Sequence, residues 1–389
     1  MKRRVLLRGP SLTMSGYGVH TRQVAKWMLS RSDIDPYFQA LPWGDTPWLI
    51  DKNLDGGFIG QIMEKTVDPT GEVYDASIQL QLPNEWDTKL AKINVGITAG
   101  VETDKCNPEW ISCCNSMSAV IVPSKHTENS FKNTGDVTSP MFLIPESFSH
   151  AISETKTTRV DKLQFSTPFN FLLFGQVTGN NPENDRKNIF YSIKWFCETF
   201  AHDADVGLII KTNMGRNTKI DRKIVTQMLV TLLKEVRKSS LPKIHLLHGD
   251  MNNSEVASLY RHPQIKALIS LTRGEGYGLP TLEAAAFGLP IIATNWSGHL
   301  DFLSHGKFID IDYKLEKIHT SRVDNKIFMS ESKWANPIEE DFKKKVVKFR
   351  NSNEIPMKWA KELKEKISQK YSFDEISKSY DEVLGKLVT

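Results

Sequence analysis

The feature that most constrains this chain is an alternation. Short apolar runs recur between stretches of amphipathic helical spacing, almost from end to end. Runs this short are buried strands rather than core helices, and strands alternating with helices build parallel sheets in an α/β protein. In the first third the candidate strands are Val5–Leu7, Ile93–Ile97, Ala119–Val122 and Phe142–Ile144. The first leads through a glycine loop into a helix on which Val24, Trp27 and Met28 fall at i, i+3 and i+4. Between Ser153 and Gln164 the chain turns polar and loses its periodicity. A second series follows: Phe169–Phe174, Val206–Ile210, Ile244–Leu247, Ile265–Leu271 and Ile291–Ala293. Between these lie helices such as Ile189–Phe200, with Ile189, Ile193, Phe196 and Phe200 on one face. Near the end, Ser372 and Glu375 have capping-box spacing ahead of a stripe of Phe373, Ile376, Tyr380 and Val383.

Composition narrows the function classes. Fifty basic residues stand against 46 acidic ones, a net charge of +4, which does not mark a dedicated nucleic-acid binder. Cys106, Cys113, Cys114 and Cys197 form no C-x-x-C set and read as free thiols in a reducing cytoplasm. After Met1–Arg4 the apolar run Val5–Leu7 is broken by Arg8, too short for a signal peptide. No run approaches the ~20 apolar residues that span a bilayer. The expectation is a cytoplasmic protein, at most peripheral at the inner membrane face.

The segment Arg273 to Gly298 carries the strongest chemistry. It reads strand, loop, helix from Pro280, stop at Gly288, and strand again. Glycines 274, 276 and 278 let backbone approach a ligand, and the first amides of the helix face an anion. Glu275 in the loop and Glu283 in the expected first turn can both accept hydrogen bonds from sugar hydroxyls. The structural alternative for Glu283 alone is an offset to the helix dipole, and for Glu275 a solvated side chain.

Glu275-Gly276-Tyr277-Gly278-Leu279-Pro280-Thr281-Leu282-Glu283 resembles the E-x7-E signature of the retaining family-four glycosyltransferases, and the continuation through Ala284–Thr294 to Ser297-Gly298 fits it too. The resemblance implies a GT-B architecture: two Rossmann-like, doubly wound α/β domains facing across a cleft. On that reading residues 1–150 form the acceptor-side domain, 151–168 a linker and 169–365 the donor-side domain, while 366–389 is a closing helix expected to pack back on the first domain. It also implies that Glu275 contacts the transferred sugar, Glu283 the ribose, and the Gly276, Tyr277, Gly278 and Leu279 backbone the diphosphate and sugar.

Other positions follow from the same likeness. Lys187, with Arg186 beside it, would neutralise the diphosphate, against the alternative of solvated charges on a helix start. Gln176 stands where many relatives carry Arg, and Lys211 after Val206–Ile210 is a substitute. In Ser15-Gly16-Tyr17-Gly18-Val19-His20, Gly16 and Gly18 resemble the loop that meets the donor phosphates. A dinucleotide fingerprint would need a third glycine where Thr21 stands. Glu102, in the run Glu102-Thr103-Asp104, is an acceptor-side or sugar-contacting candidate, with local capping as its alternative. Met251, after His248-Gly249-Asp250, is a candidate for the nucleotide base. Asp203-Ala204-Asp205 has the D-x-D form of a metal site but precedes a strand, so it reads as a surface turn. The basic run Phe342–Arg350 reads as a solvated helix face.

The function expected is transfer of a sugar from a nucleoside-diphosphate sugar, UDP or GDP type, to an acceptor hydroxyl with retention, using no metal and no other cofactor. The acceptors left open are a glycan, a lipid-linked glycan, a protein or modified DNA. The rivals are a sugar-nucleotide 2-epimerase of the same architecture and a non-catalytic sugar-nucleotide-binding protein.

Overall fold

A computed structural model of the chain describes residues 2–149, 157–176, 181–213, 215 and 217–388. The chain divides into two compact units. Unit one is Met1–Ser147 with Asp324–Ser332 and Tyr371–Thr389; unit two is Phe148–Val323 with Lys333–Lys370.

Unit one is built on a six-stranded sheet: β1 (Arg3–Gly9), β2 (Ile34–Ala40), β3 (Tyr74–Leu80), β4 (Ala91–Ile97), β5 (Ala119–Val122) and β6 (Met141–Leu143), in spatial order β2-β1-β3-β4-β5-β6. Every pairing is parallel. Two of these strands have no apolar run. β2 carries Pro36 and lies at the sheet edge, where a missing amide costs no ladder bond. β3 alternates polar residues inward, and these are satisfied inside. Ser77 Oγ donates to Asn94 Oδ1 at 2.6 Å, while Gln79 exchanges hydrogen bonds of 2.7 Å with the Asp87 backbone N–H and C=O. The helix Gly16–Ser30 buries Val24, Ala25, Trp27 and Met28. The helix Phe373–Tyr380, capped by Ser372, meets it: His20 Nε2 lies 3.2 Å from the Tyr380 hydroxyl, and Trp27 Nε1 donates to Asp381 at 2.9 Å.

Unit two repeats the plan with β7 (Phe169–Phe174), β8 (Val206–Thr212), β9 (Lys243–His248), β10 (Ile265–Ser270), β11 (Ile291–Thr294) and β12 (Ile309–Ile311), in order β12-β11-β10-β7-β8-β9 and again all parallel. An antiparallel pair follows, β13 (Tyr313–Lys317) and β14 (Lys333–Pro337). Helices cover both sheet faces, so the central strands are apolar on both sides. Phe169, Phe171 and Leu173 face a core with Ile193 and Phe196 of the helix Ile189–Thr199 and Phe349 of the helix Glu339–Asn351. On the opposite face Phe174 stacks on Tyr260 with centroids 5.5 Å apart.

The expected linker, 151–168, falls partly outside the described residues. Of the rest, Val160 is buried and Thr167 bonds to Asn170 and His245 within unit two. The closing segment splits at Lys370: the helix Glu354–Lys370 belongs to unit two and Tyr371–Thr389 to unit one. The excursion of Asp324–Ser332 into unit one has no counterpart in the periodicity. Asn107 Nδ2 donates to the Lys326 carbonyl at 2.9 Å, and Ser332 Oγ donates to that of Lys105 at 3.1 Å.

Candidate active site

In unit two the chain runs from β7 to β8 and β9 on one side, then returns to place β10 on the other. Ligand sites of doubly wound sheets open at such a reversal, at the carboxyl ends of the strands. The loop after β7 carries Arg186 and Lys187; the loop after β10 carries Glu275. They meet there. Lys187 Nζ donates to Glu275 Oε1 at 2.6 Å, and Arg186 Nη1 lies 3.3 Å from Oε2 and 2.7 Å from the Gly274 carbonyl. Burial opposes ionisation of Glu275, but the two cations outweigh it and hold the carboxyl down at about 2. It is a carboxylate at any working pH.

The loop is fixed from behind by an orienting chain. The Glu275 amide donates to Ser297 Oγ at 2.9 Å, Ser297 Oγ lies 3.4 Å from His299 Nδ1, and His299 Nε2 lies 2.7 Å from the Thr294 carbonyl. A carbonyl only accepts, so Nε2 carries the proton, leaving Nδ1 to accept from the serine. Burial lowers the His299 pKa and keeps the ring neutral, as this chain requires. The Gly298 amide closes the bracket on the Glu275 carbonyl at 2.9 Å. A Cβ on Gly298 would stand 2.2 Å from the Gly276 oxygen, so only glycine permits this approach.

The cationic loop has its own frame. Asp185, buried, accepts from the Lys187 amide at 3.0 Å and the Ile189 amide at 2.5 Å, which sets the turn before the helix. Burial pushes its carboxyl above the ordinary range despite these amides. Asn188 takes the left-handed conformation, φ 55°, tolerated by Asn. Buried Arg273 donates to the Pro182 and Glu183 carbonyls at 3.1 and 3.0 Å, and its guanidinium lies 5.1 Å from the Trp334 ring centroid. It clamps the 182–186 loop to β14.

Glu283 differs from expectation. The helix runs Leu279–Phe287 from an N-cap at Gly278, so Glu283 is its fifth residue and lies beyond the first turn. An offset to the helix dipole is correspondingly weaker there. Tyr260 OH bonds the Pro280 carbonyl at 3.0 Å and reaches Glu283 Oε2 at 3.4 Å. Burial pushes the Glu283 carboxyl up to about 7, against the Tyr260 bond. The two glutamates of the loop–helix segment thus sit in opposite electrostatic settings. Gly276, Gly278 and Leu279 lie in the turn before and at the helix start, where Pro280 has no N–H and the Thr281 and Leu282 amides donate to the Gly278 carbonyl at 3.0 and 3.1 Å. The Tyr277 ring turns inward onto Phe302, centroids 5.5 Å apart, and is buried.

Lys211 falls inside β8 rather than after it, buried on the Phe174 face. Its ammonium donates to the Gly249 carbonyl at 2.7 Å and Asn213 Oδ1 at 2.5 Å, and burial lowers it to about 8. Met251 is half-buried two residues beyond Gly249. Gln176 is exposed, just before residues outside the description.

Gly16, Gly18 and Glu102 belong to unit one. Gly16 and Gly18 open a helix instead of forming a loop. The Gly18 amide donates to the N-cap Ser15 Oγ at 2.9 Å, and a Cβ there would meet the Thr13 oxygen at 2.3 Å. Gly18 is therefore a packing requirement. Glu102 is half-buried in the loop after β4. Asp203 pairs with Arg350 at 3.2 Å, as a surface turn would. Among the described residues no group of three or more His, Cys, Asp or Glu is placed to hold a metal ion. No helix among them is long and apolar enough to cross a membrane.

Two six-stranded parallel α/β units, with a site at the carboxyl ends of the second, define the GT-B glycosyltransferase fold. The chain carries a glycosyl transferases group 1 domain, matched over residues 226–317, which spans Met251, Glu275 and Glu283 and leaves Arg186, Lys187 and Lys211 upstream. Among curated proteins it is similar to sucrose-phosphate synthase of Spinacia oleracea, 32% identical over 146 residues, covering 32% of this chain and 12% of that protein. The match thus spans only a small part of that relative. Among solved structures, sucrose-phosphate synthase from Thermosynechococcus elongatus superposes with a TM-score of 0.65 at 11% identity, covering 99% of both chains. HepE of Anabaena, solved in complex with UDP-glucose, gives 0.64 at 13% identity over 99% of this chain and 100% of that one. At these identities the likeness is one of fold.

Proposed function

We propose that this protein is a retaining glycosyltransferase that moves a sugar from a nucleoside-diphosphate sugar to an acceptor hydroxyl. The observation that carries the reading is Glu275, an ionised carboxylate held between Lys187 and Arg186 beside a glycine loop that opens a helix. The hard step is departure of a diphosphate from an oxocarbenium-like sugar. Lys187, Arg186 and the amides at 276–279 are donors suited to that developing charge. Glu275 accepts hydrogen bonds from the sugar hydroxyls and offers negative charge to the cationic sugar. Glu283 accepts from the ribose, Met251 lies against the base, and Lys211 supports the strand end around Gly249. A donor phosphate oxygen then takes the acceptor proton on the face the leaving group vacates, so configuration is retained without a dedicated side-chain base. No metal is assigned a part, because lysine, arginine and helix amides supply the positive field.

The donor is of UDP or GDP type, with UDP favoured by the similarity to HepE, which was solved with UDP-glucose. The test is a thermal-shift screen with UDP, GDP, UDP-glucose and GDP-mannose, with and without EDTA, since ligands of the native state raise its apparent stability. A positive donor is then incubated with an acceptor panel and the product anomer is read by NMR. A retained anomer supports the reading. An inverted product sinks the mechanism, and donor converted to its epimer with no acceptor makes the protein an isomerase.

A further inference from the structure

Unit one carries an aromatic ridge that the donor chemistry does not use. The Trp43 ring stacks on Tyr17 with centroids 4.0 Å apart and planes 19° from parallel. Tyr17 is itself anchored: its hydroxyl lies 3.1 Å from Thr98 Oγ1 and accepts from the Ala99 amide at 3.1 Å. The segment that follows Trp43 is pinned beside the start of the Gly16–Ser30 helix, where the Met14 amide donates to the Pro47 carbonyl at 2.9 Å and that of Leu49 to Leu12 at 2.8 Å. This leaves Trp48 44% and Ile50 82% exposed. Neither indole N–H has a protein partner among the described residues, and Glu102 is close enough to act electrostatically on the Tyr17 hydroxyl. The ridge is thus rigid, aromatic, supplied with unspent donors and flanked by a carboxylate.

We propose that Trp43, backed by Tyr17 and flanked by Trp48 and Glu102, is a stacking platform for a neutral pyranose ring, so that the acceptor is a saccharide. The inference rests on the glycosyltransferase reading and deepens it. A pyranose presents apolar C–H faces to an indole and hydroxyls at its rim, and aromatic walls with a few placed polar groups are how such ligands are held. The charge of the ridge argues against the other acceptors. Residues 41–51 include Asp45 and Asp51 and no Lys or Arg, while Lys52 follows and Arg22 donates to the Thr13 carbonyl beside Trp48. The charges are thus mixed, and there is no basic cluster to hold nucleic acid or anionic lipid headgroups.

The test uses the full chain and three probes, cellotriose, maltotriose and chitotriose, observed by saturation-transfer NMR, with the UDP thermal shift measured in parallel. The expected result is binding of at least one trisaccharide, weakened at least tenfold by Trp43→Ala, kept within threefold by Trp43→Phe, and weakened about threefold by Trp48→Ala, whose side chain is too exposed to be needed for folding. The UDP shift stays unchanged in all three variants. Failure of every trisaccharide to bind wild type, or equal binding by Trp43→Ala, overturns the proposal. So does binding to phosphatidylglycerol vesicles that Trp48→Ala abolishes. Absence of any nucleotide shift in the wild type would instead sink the donor reading, while the trisaccharide result would still stand or fall on its own.

Discussion

The Lys187 ammonium lies 2.6 Å from Glu275 Oε1, although 88 residues separate them in the chain. This contact joins the two loops at the sheet's reversal point, and it helps hold Glu275 in its ionised form. Removing Lys187 leaves the buried Glu275 carboxylate with Arg186, at 3.3 Å, as its remaining cation.

Glu275→Gln keeps the shape of the carboxylate and removes its charge. Transfer is expected to fall at least a hundredfold, while UDP binding holds or tightens because Lys187 and Arg186 are released to the phosphates. Single-turnover rates and UDP titration measure the two effects separately. Weaker UDP binding with unchanged turnover would contradict the assignment.

The same pair shapes acid stability. With its folded pKa near 2, below the ordinary carboxylate value of 4.5, Glu275 contributes stability that is present above pH 4.5 and lost as pH falls through 2. Urea midpoints measured from pH 5 down to 2 should decline less steeply in Glu275→Gln than in wild type.

Glu283 works in the opposite sense. Its folded pKa of about 7 means that it favours the protonated fold, a contribution that fades between pH 4.5 and 7. A ribose hydroxyl donates best to the ionised form, so UDP affinity should rise as pH goes from 6 to 8 and then level off. Isothermal titration should show proton release on binding near pH 7, and Glu283→Gln should bind more weakly with the pH slope gone.

Gly298→Ala drives a methyl into the Gly276 carbonyl. Overpacking of this kind costs about 1–3 kcal/mol, read as a lower urea midpoint. Because the relief available is movement of the Glu275–Gly278 loop, turnover should fall further than stability does. Gly18→Ala, which meets the Thr13 oxygen in unit one, should lose comparable stability and leave UDP affinity in place.

Arg273→Lys keeps the charge but not the planar fork that reaches two carbonyls and stacks on Trp334. Turnover should drop with little change in the thermal shift given by UDP, since the loop bearing Arg186 and Lys187 loses its brace. Equal rates for wild type and variant would show that the brace is dispensable.

Much of this was legible in sequence, and the omissions have physical causes. Strands buried on both faces, such as Phe169–Phe174, announce themselves as apolar runs. β3 does not, because Ser77 and Gln79 are buried in it with partners from Asn94 and Asp87 that no local pattern reveals. The loop–helix segment from Glu275 to Glu283 was visible because glycine spacing and helix punctuation are local. Asp185, Arg273, Ser297 and His299 were not singled out. The turn residue Asp185 directly before Arg186-Lys187, and the Ser297-Gly298 pair, were the signals available.

By itself the sequence determined the α/β class, the two series of strands and the carboxylate pair, since periodicity, glycine and proline act through neighbouring residues. Tertiary structure alone decided the electrostatics. Among the described residues it put two cations against Glu275 and none against Glu283, and so separated two glutamates of one segment into a permanent carboxylate and one that titrates near neutrality. It also brought the Thr13 oxygen against Gly18, an approach that only glycine permits. Those outcomes depend on which atoms approach through space, and spacing along the chain carries no information about that.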